Sequence, residues 1–142
     1  MSRTKAALNF FSNGYNYAQS TFAPFASSRN LDENTAMQIA ACFGGGMGRT
    51  SRTCGAVTGA LMALGMFRWK SPADKAVAYD LAAEYIARFT RQHGSTNCTQ
   101  LLGCDLGTAE GRQAAQDKDA HNTICRGLVE GAVALLEEMI AE

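Results

Sequence analysis

The chain has 142 residues, of which 46% are hydrophobic and 18% charged, and its 13 basic and 13 acidic side chains give a net charge of zero. This composition gives no electrostatic basis for binding nucleic acid or an anionic membrane surface. A chain of this length is expected to fold as one domain, residues 1–142, with a core large enough to need no disulfides. Its five cysteines are therefore more than folding requires.

The expected role of the cysteines depends on the cellular compartment of the protein. No uninterrupted apolar run approaches the ~18 residues that span a bilayer, and Asn9, Ser12 and Asn13 interrupt the N-terminal apolar stretch before a signal-peptide core could form. We therefore expect a cytoplasmic protein without membrane insertion. Cytosolic thiols are kept reduced, so cysteines there are redox-active, metal-binding or simply buried. Because five is odd, at least one thiol lacks a partner within the chain.

Apolar residues at steps of three and four predict an all-α bundle of about five helices. The first helix is expected over residues 8–25, ending near Pro24. Asp32 is predicted to cap a second helix over residues 34–43, which ends at the glycine run that follows.

Three further helices are predicted in the second part of the chain. One covers residues 53–64, with Gly65 as its left-handed terminator. The next begins at the Ser-Pro-Ala-Asp signal of residues 71–74 and ends at residues 93–94. The last covers residues 119–140. Residues 94–118 between them are expected to be a long connection.

Cys54 is predicted to lie where a helix begins, with Arg49 and Arg52 just before it. A helix N-terminus and nearby cations both favour thiolate. We therefore expect a depressed pKa for Cys54 and the highest nucleophilicity among the five cysteines. Gly55 and Gly59 share one face of this helix and allow the close approach of another backbone, for which helix packing alone is an equally good explanation.

The glycine run before Cys54 is a candidate anion site. A nest of backbone N–H groups at Gly45, Gly46 and Gly48, followed by Arg49, is able to bind an anion. However, no predicted strand precedes the run, and it lacks the Gly-Lys-Ser/Thr ending of a phosphate-binding loop. A simple turn is therefore the favoured interpretation, and anion binding is the alternative.

The remaining cysteines fit no standard spacing. Cys98 and Cys104 lie six residues apart, unlike the C-x2-C of zinc ribbons and thioredoxin-like folds. If residues 99–102 form a helical turn, the two sulfurs converge on its ends. For Cys125, on the apolar stripe of the last helix, and for Cys42, burial as a small hydrophobic residue is favoured.

Together these motifs resemble the family named for its cysteine pattern, C-GCAxxG-C-C, over residues 14–138. The matching features are the glycine run 44–48, the CGAVTG sequence of residues 54–59, Cys98 with the Leu-Leu-Gly that follows it, and the late Cys125. The family's first cysteine falls where this chain has Tyr17, so one of four expected thiols is missing, with Cys42 and Cys104 as extra candidates. The resemblance implies a redox-active protein, and family members are often encoded near transporter genes.

We expect thiol–disulfide chemistry centred on Cys54, with Cys98, Cys104 or Cys125 as the resolving thiol and a redox partner that the sequence does not identify. One alternative is a metal or iron–sulfur binding module with these four cysteines as ligands. Another is a helical accessory subunit of a membrane transporter. Self-association is also expected, because the apolar faces of about five helices exceed what one small bundle buries.

Overall fold

The computed structural model describes residues 2–142, which form eight α-helices around a shared hydrophobic core. The helices are α1 (Arg3–Ser12), α2 (Tyr17–Ala26), α3 (Glu33–Ala40), α4 (Gly55–Arg68), α5 (Lys75–His93), α6 (Cys98–Leu102), α7 (Ala109–Asp117) and α8 (Arg126–Ala141). Short 3-10 turns cover Ser27–Arg29, Ala41–Phe43 and Pro72–Asp74, and a π-helical turn covers His121–Cys125. The all-α class is confirmed, whereas the count of about five helices is too low.

The long first helix predicted over residues 8–25 is wrong, because the chain breaks between α1 and α2. Asn13 ends α1 by donating its backbone N–H and its side-chain amide to the Asn9 carbonyl, and Gly14 follows in a left-handed conformation with φ of 94°. Asn16 then caps α2 in a reciprocal capping box with Gln19. Pro24 lies inside α2 rather than at its end. The apolar spacing continues across the break because both helices bury residues in the same core.

The prediction of a capped second helix is confirmed. The Asp32 carboxylate accepts a hydrogen bond of 3.0 Å from the Thr35 N–H at the start of α3. The α-helix itself ends at Ala40, and the 3-10 turn Ala41–Phe43 continues to the glycine run.

The helices α2 and α4 cross at small residues. A β-carbon built on Gly59 would lie 2.7 Å from the Ala18 carbonyl oxygen, and one on Gly55 would lie 3.1 Å from the Ala18 nitrogen. The two glycines therefore let the backbone of α2 rest directly on α4. Gly65 does not end α4 as predicted: the helix continues to Arg68, and the chain leaves it at Trp69 in an extended conformation.

The helix predicted from the Ser-Pro-Ala-Asp signal is confirmed as α5. The Asp74 carboxylate accepts from the Lys70 N–H at 2.8 Å, and Gly94, with φ of 91°, ends the helix. On the inner face of α5, the Tyr85 hydroxyl donates to the Ala132 carbonyl at 2.8 Å and joins α5 to α8. Tyr85 is fully buried, and this bond gives its hydroxyl a hydrogen-bond partner.

The connection predicted over residues 94–118 contains α6 and α7. The first has only five residues, and the second is mostly exposed, so neither has an apolar stripe long enough to be recognised. Asn97 and Thr108 cap them through side-chain oxygens. Within residues 2–142 no helix combines the length and the hydropathy that crossing a bilayer requires.

Candidate functional site

The glycine run forms a left-handed turn over residues 45–49. Five successive residues have positive φ: 65° at Gly45, 63° at Gly46, 70° at Met47, 61° at Gly48 and 64° at Arg49. This conformation costs a residue with a side chain roughly 1–2 kcal/mol. Several successive residues in this conformation are therefore rare. A turn was predicted here from the sequence, but its left-handed conformation was not.

Backbone hydrogen bonds hold the left-handed turn together. The Gly48 N–H donates to the Gly44 carbonyl at 2.8 Å, and the Arg52 N–H donates to the Gly46 carbonyl at 3.0 Å. The hydroxyl of Thr50 donates to the Met47 carbonyl at 2.8 Å. The turn is thus tied to the segment that leads into Cys54.

An antiparallel bridge between Thr53 and Asn97 brings together the segments that carry Cys54 and Cys98, which are diagonal neighbours across the bridge. The Cys54 N–H donates to the Thr96 carbonyl at 2.8 Å, and the Cys98 N–H donates to the Arg52 carbonyl at 2.5 Å. Since side chains alternate along an extended segment, the residues on either side of the Thr53–Asn97 pair face the same way. The two thiols therefore share one side of the bridge, although they are far apart in sequence.

Ser51 is a buried polar residue that the sequence analysis missed. It is 3% exposed, has a positive φ of 61°, and accepts hydrogen bonds on Oγ from the Leu106 N–H at 3.1 Å and from the Thr99 hydroxyl at 2.9 Å. Its hydroxyl also bonds to the Cys98 thiol. Ser51 thus joins the left-handed turn to α6 and to the loop after it, and no local pattern around a single serine indicates this.

The predicted low pKa of Cys54 is wrong. Burial raises the pKa of this thiol to about 11, and the backbone N–H groups of Ala56 and Val57 at the helix N-terminus oppose that rise only in part. The side chain is 2% exposed, so the cost of removing a thiolate from water exceeds the stabilisation by the helix terminus. Arg49 and Arg52 lie on the surface.

Burial also raises the pKa of two other thiols. For Cys98 the burial effect is reduced by the hydrogen bond to Ser51 and increased by the neighbouring Cys104. For Cys125 burial raises the pKa to about 12. In the resting protein these groups are therefore neutral thiols.

Three of the four predicted site cysteines are neighbours. Cys98 adds to the pKa shift of Cys54, and Cys104 adds to that of Cys98, so the three form a group that we call the thiol cluster (Cys54, Cys98 and Cys104). Cys125 lies outside it, on the π-helical turn beside α6, and is buried as predicted, whereas the predicted burial of Cys42 is wrong because this residue is exposed. All five cysteines are free.

The thiol cluster does not fit a metal ion. Across residues 2–142, no three side chains of His, Cys, Asp or Glu converge closely enough to hold one. A zinc site needs its sulfurs at about 2.3 Å from the ion. The donor set of the metal and iron–sulfur alternative, Cys54, Cys98, Cys104 and Cys125, is thus not assembled in this conformation.

Tyr17, at the position of the missing family cysteine, lies at the start of α2 next to Ala18, which packs on Gly55. Its ring meets that of Phe11 edge-on at 5.4 Å, and Phe11 in turn stacks on His121 at 4.2 Å. The position is therefore close to the start of α4, and an aromatic contact occupies it.

The candidate anion-binding residues divide between two environments. Gly45, Gly48 and Arg49 line an open cavity of about 560 Å³, whereas Gly46 is buried beneath it against Cys98. The turn thus separates a surface cavity from the thiol cluster.

A family model described as "Putative redox-active protein (C_GCAxxG_C_C)" matches residues 15–139 of the chain. The comparisons of the chain with curated proteins and with solved structures found no match.

Proposed function

The chain belongs to the C_GCAxxG_C_C family, and from this membership and the positions of its thiols we propose that Cys54 and Cys98 form a reversible disulfide. The observation that carries the proposal is the bridge between Thr53 and Asn97, which puts both side chains on one side of two paired segments. The burial of both sulfurs, at 2% and 3% exposure, protects such a bond from unselective exchange.

Cys104 is the thiol through which the cluster meets an external partner. It is 9% exposed, more than Cys54 or Cys98, and follows α6 in a loop that begins at Gly103. We therefore expect an incoming disulfide to react first with Cys104, and Cys98 to pass the exchange on to the more deeply buried Cys54.

The proposed oxidant is a low-molecular-weight disulfide, R–S–S–R. The Cys104 thiolate attacks one of its sulfurs, and the first RSH leaves; Cys98 then attacks the Cys104 sulfur and releases the second RSH. Cys54 finally attacks the Cys98 sulfur, which frees Cys104. Two protein thiols lose two electrons and two protons, and R–S–S–R gains them as two molecules of RSH.

The test is to oxidise the protein with glutathione disulfide, alkylate the remaining thiols and identify linked peptides. Trypsin gives one peptide with Cys54, residues 53–68, and one with both Cys98 and Cys104, residues 92–112. We expect these two peptides to be linked, and we expect the link to disappear in Cys98→Ser. In Cys104→Ser it should still form but more slowly, because the oxidant must then reach the more deeply buried Cys98 directly. The exposed Cys42→Ser variant is the matched control and keeps the link.

A link that persists in Cys98→Ser, or no link at all, contradicts the proposal. Elemental analysis of protein purified without oxygen tests the alternative of a metal or iron–sulfur binding module. A stoichiometric metal that is lost in Cys54→Ser would favour that module. The accessory-subunit role, self-association and cytoplasmic location stay predictions.

A further inference from the structure

We propose that the cavity beside the left-handed turn binds a small oxyanion, a phosphate or a carboxylate, through the guanidinium of Arg49. The cavity holds about 560 Å³ and is lined by Asn16, Ala41, Gly44, Gly45, Gly48, Arg49 and Leu106. This volume lies within the range of small-molecule sites, roughly 300–1,000 Å³. The proposal does not depend on the thiol chemistry.

The aliphatic stem of Arg49 packs on its own turn, and the residue lines the cavity. The Cγ of Arg49 lies 3.2 Å from the place of a β-carbon on Gly45, so the aliphatic stem of the arginine covers that glycine. Among residues 2–142 the Arg49 guanidinium has neither a hydrogen bond nor an ion pair with an acidic side chain. An arginine whose stem packs on the turn and whose donors are all available is suited to bidentate contact with an oxyanion.

The charges around the cavity favour an anion. No aspartate or glutamate occurs in residues 34–73, the stretch that contains the turn. On the facing loop, the Asp105 carboxylate is engaged by the Gly107 N–H at 2.8 Å, and Arg112 donates to the Leu106 carbonyl at 2.9 Å. Two cations thus lie near the cavity, against one carboxylate that already has a partner.

The backbone at Arg49 gives an independent indication. Its φ of 64° lies where glycine is favoured, as does that of Ser51. The buried hydroxyl of Ser51 compensates through its hydrogen bonds to Thr99 and Leu106, whereas the side chain of Arg49 makes no such bond. The left-handed backbone at Arg49 thus carries a guanidinium that makes no hydrogen bond within residues 2–142, an arrangement consistent with a role in binding.

The walls of the cavity fit a compact polar ligand. Gly48 leaves the backbone uncovered, with no atom within 4 Å of its β-carbon position, and Gly44 has no room for a side chain because Asn16 Nδ2 lies 2.7 Å from its β-carbon position. The Asn16 amide donates to the Ala41 carbonyl at 3.0 Å, which leaves its second N–H for a ligand.

The test is a titration of the ¹⁵N-labelled protein with inorganic phosphate and, separately, with citrate, followed by NMR at constant ionic strength. We expect saturable shifts at the amides of residues 44–49 with at least one of the two, and the tighter binder identifies the ligand as a phosphate or a carboxylate. Arg49→Gln is expected to weaken binding about tenfold or more, the size of one lost charged hydrogen bond.

Arg52→Gln is the matched control, since Arg52 is an exposed arginine of the same segment that does not line the cavity. It should change the dissociation constant by less than about twofold, because its side chain does not line the cavity and its exposed charge is screened. Arg49→Gly should lose binding and yet unfold at a higher urea concentration than the wild type, since glycine removes the strain. No saturable shift with either anion, or equal losses in Arg49→Gln and Arg52→Gln, would overturn the proposal.

Discussion

Gly46 and Cys98 are in contact so close that a β-carbon on Gly46 would lie 2.8 Å from the β-carbon of Cys98 and 2.5 Å from the Arg52 nitrogen. The left-handed turn therefore rests directly on one of the two thiol-bearing residues of the bridge. Any side chain at position 46 would have to displace Cys98 or the segment before Cys54. The glycine run thus has a specific structural role, which is to let the turn approach the thiol cluster.

The first prediction concerns this contact. Gly46→Ala should lower the free energy of unfolding by about 2–5 kcal/mol, because the new methyl group meets backbone and Cys98 and because φ at this position is positive. Gly48→Ala is the control, since Gly48 has the same left-handed conformation and open space around it. It should cost only about 1 kcal/mol in urea unfolding. Equal costs for the two variants would contradict the close contact.

The second prediction compares two glycines of α4. Gly59→Ala should destabilise the protein by about 1–3 kcal/mol, because its methyl group would lie 2.7 Å from the Ala18 carbonyl oxygen of α2. Gly65→Ala has open space and should stabilise by about 0.5–1 kcal/mol through helix propensity. Opposite signs in thermal or urea unfolding support the crossing of α2 and α4; a stabilising Gly59→Ala would refute it.

The third prediction concerns thiol reactivity in the native state. At pH 8 a thiol with a pKa of about 11, the value that burial gives Cys54, is only about 0.1% thiolate. We therefore expect iodoacetamide to label the exposed Cys42 first, and to label Cys54 and Cys125 fully only after denaturation. Quantitative peptide mapping over time measures the order. Fast labelling of native Cys54 would instead support the low pKa expected from its helix position.

The fourth prediction concerns His93 at the end of α5. Its Nε2 is buried without a hydrogen-bond partner, its ring packs on Phe89 and against Gly131, and burial lowers its pKa below the ordinary 6.5. The unfolded chain therefore binds a proton more readily than the folded one, so this contribution to stability is present above pH 6.5 and is lost as the pH falls below it.

The melting temperature should accordingly decrease from pH 7 to pH 5, and His93→Gln should show a smaller decrease. His121→Gln, which removes the exposed histidine stacked on Phe11, serves as the comparison and should keep the wild-type dependence. If both variants match the wild type, the burial of His93 has no influence on stability.

Local signals predicted much of the helical framework. Asp32, the Ser-Pro-Ala-Asp sequence before α5 and Gly94 each act through their immediate neighbours, so their roles could be read from the sequence. The break at Asn13 was missed because the apolar spacing continues across it, and α6 and α7 were missed because they have no apolar stripe. Gly65 fits inside α4 because nothing in the surrounding structure requires the helix to stop there.

The candidate site shows the same division between local and long-range information. The cysteines and the glycine run were identifiable as residue types, and the predicted position of Cys54 at a helix start is confirmed. The pKa of Cys54 depends on burial by the rest of the fold, and the pairing of Thr53 with Asn97 joins segments far apart in sequence. Neither is encoded in a local pattern, and for the same reason the role of Ser51 was not predicted.

The proposed reversible disulfide between Cys54 and Cys98 can be tested by a redox titration. The wild-type protein would be equilibrated in buffers of reduced and oxidised glutathione and quenched in acid, and the linked fraction of the peptides containing residues 53–68 and 92–112 would be measured, with Cys98→Ser as the variant that should show no link. We expect one transition of two electrons, about 30 mV per tenfold change in the ratio of oxidised to reduced protein, with the same curve on oxidation and on reduction. A Cys54 that stays reduced at every potential, or a link that does not reopen, would contradict it.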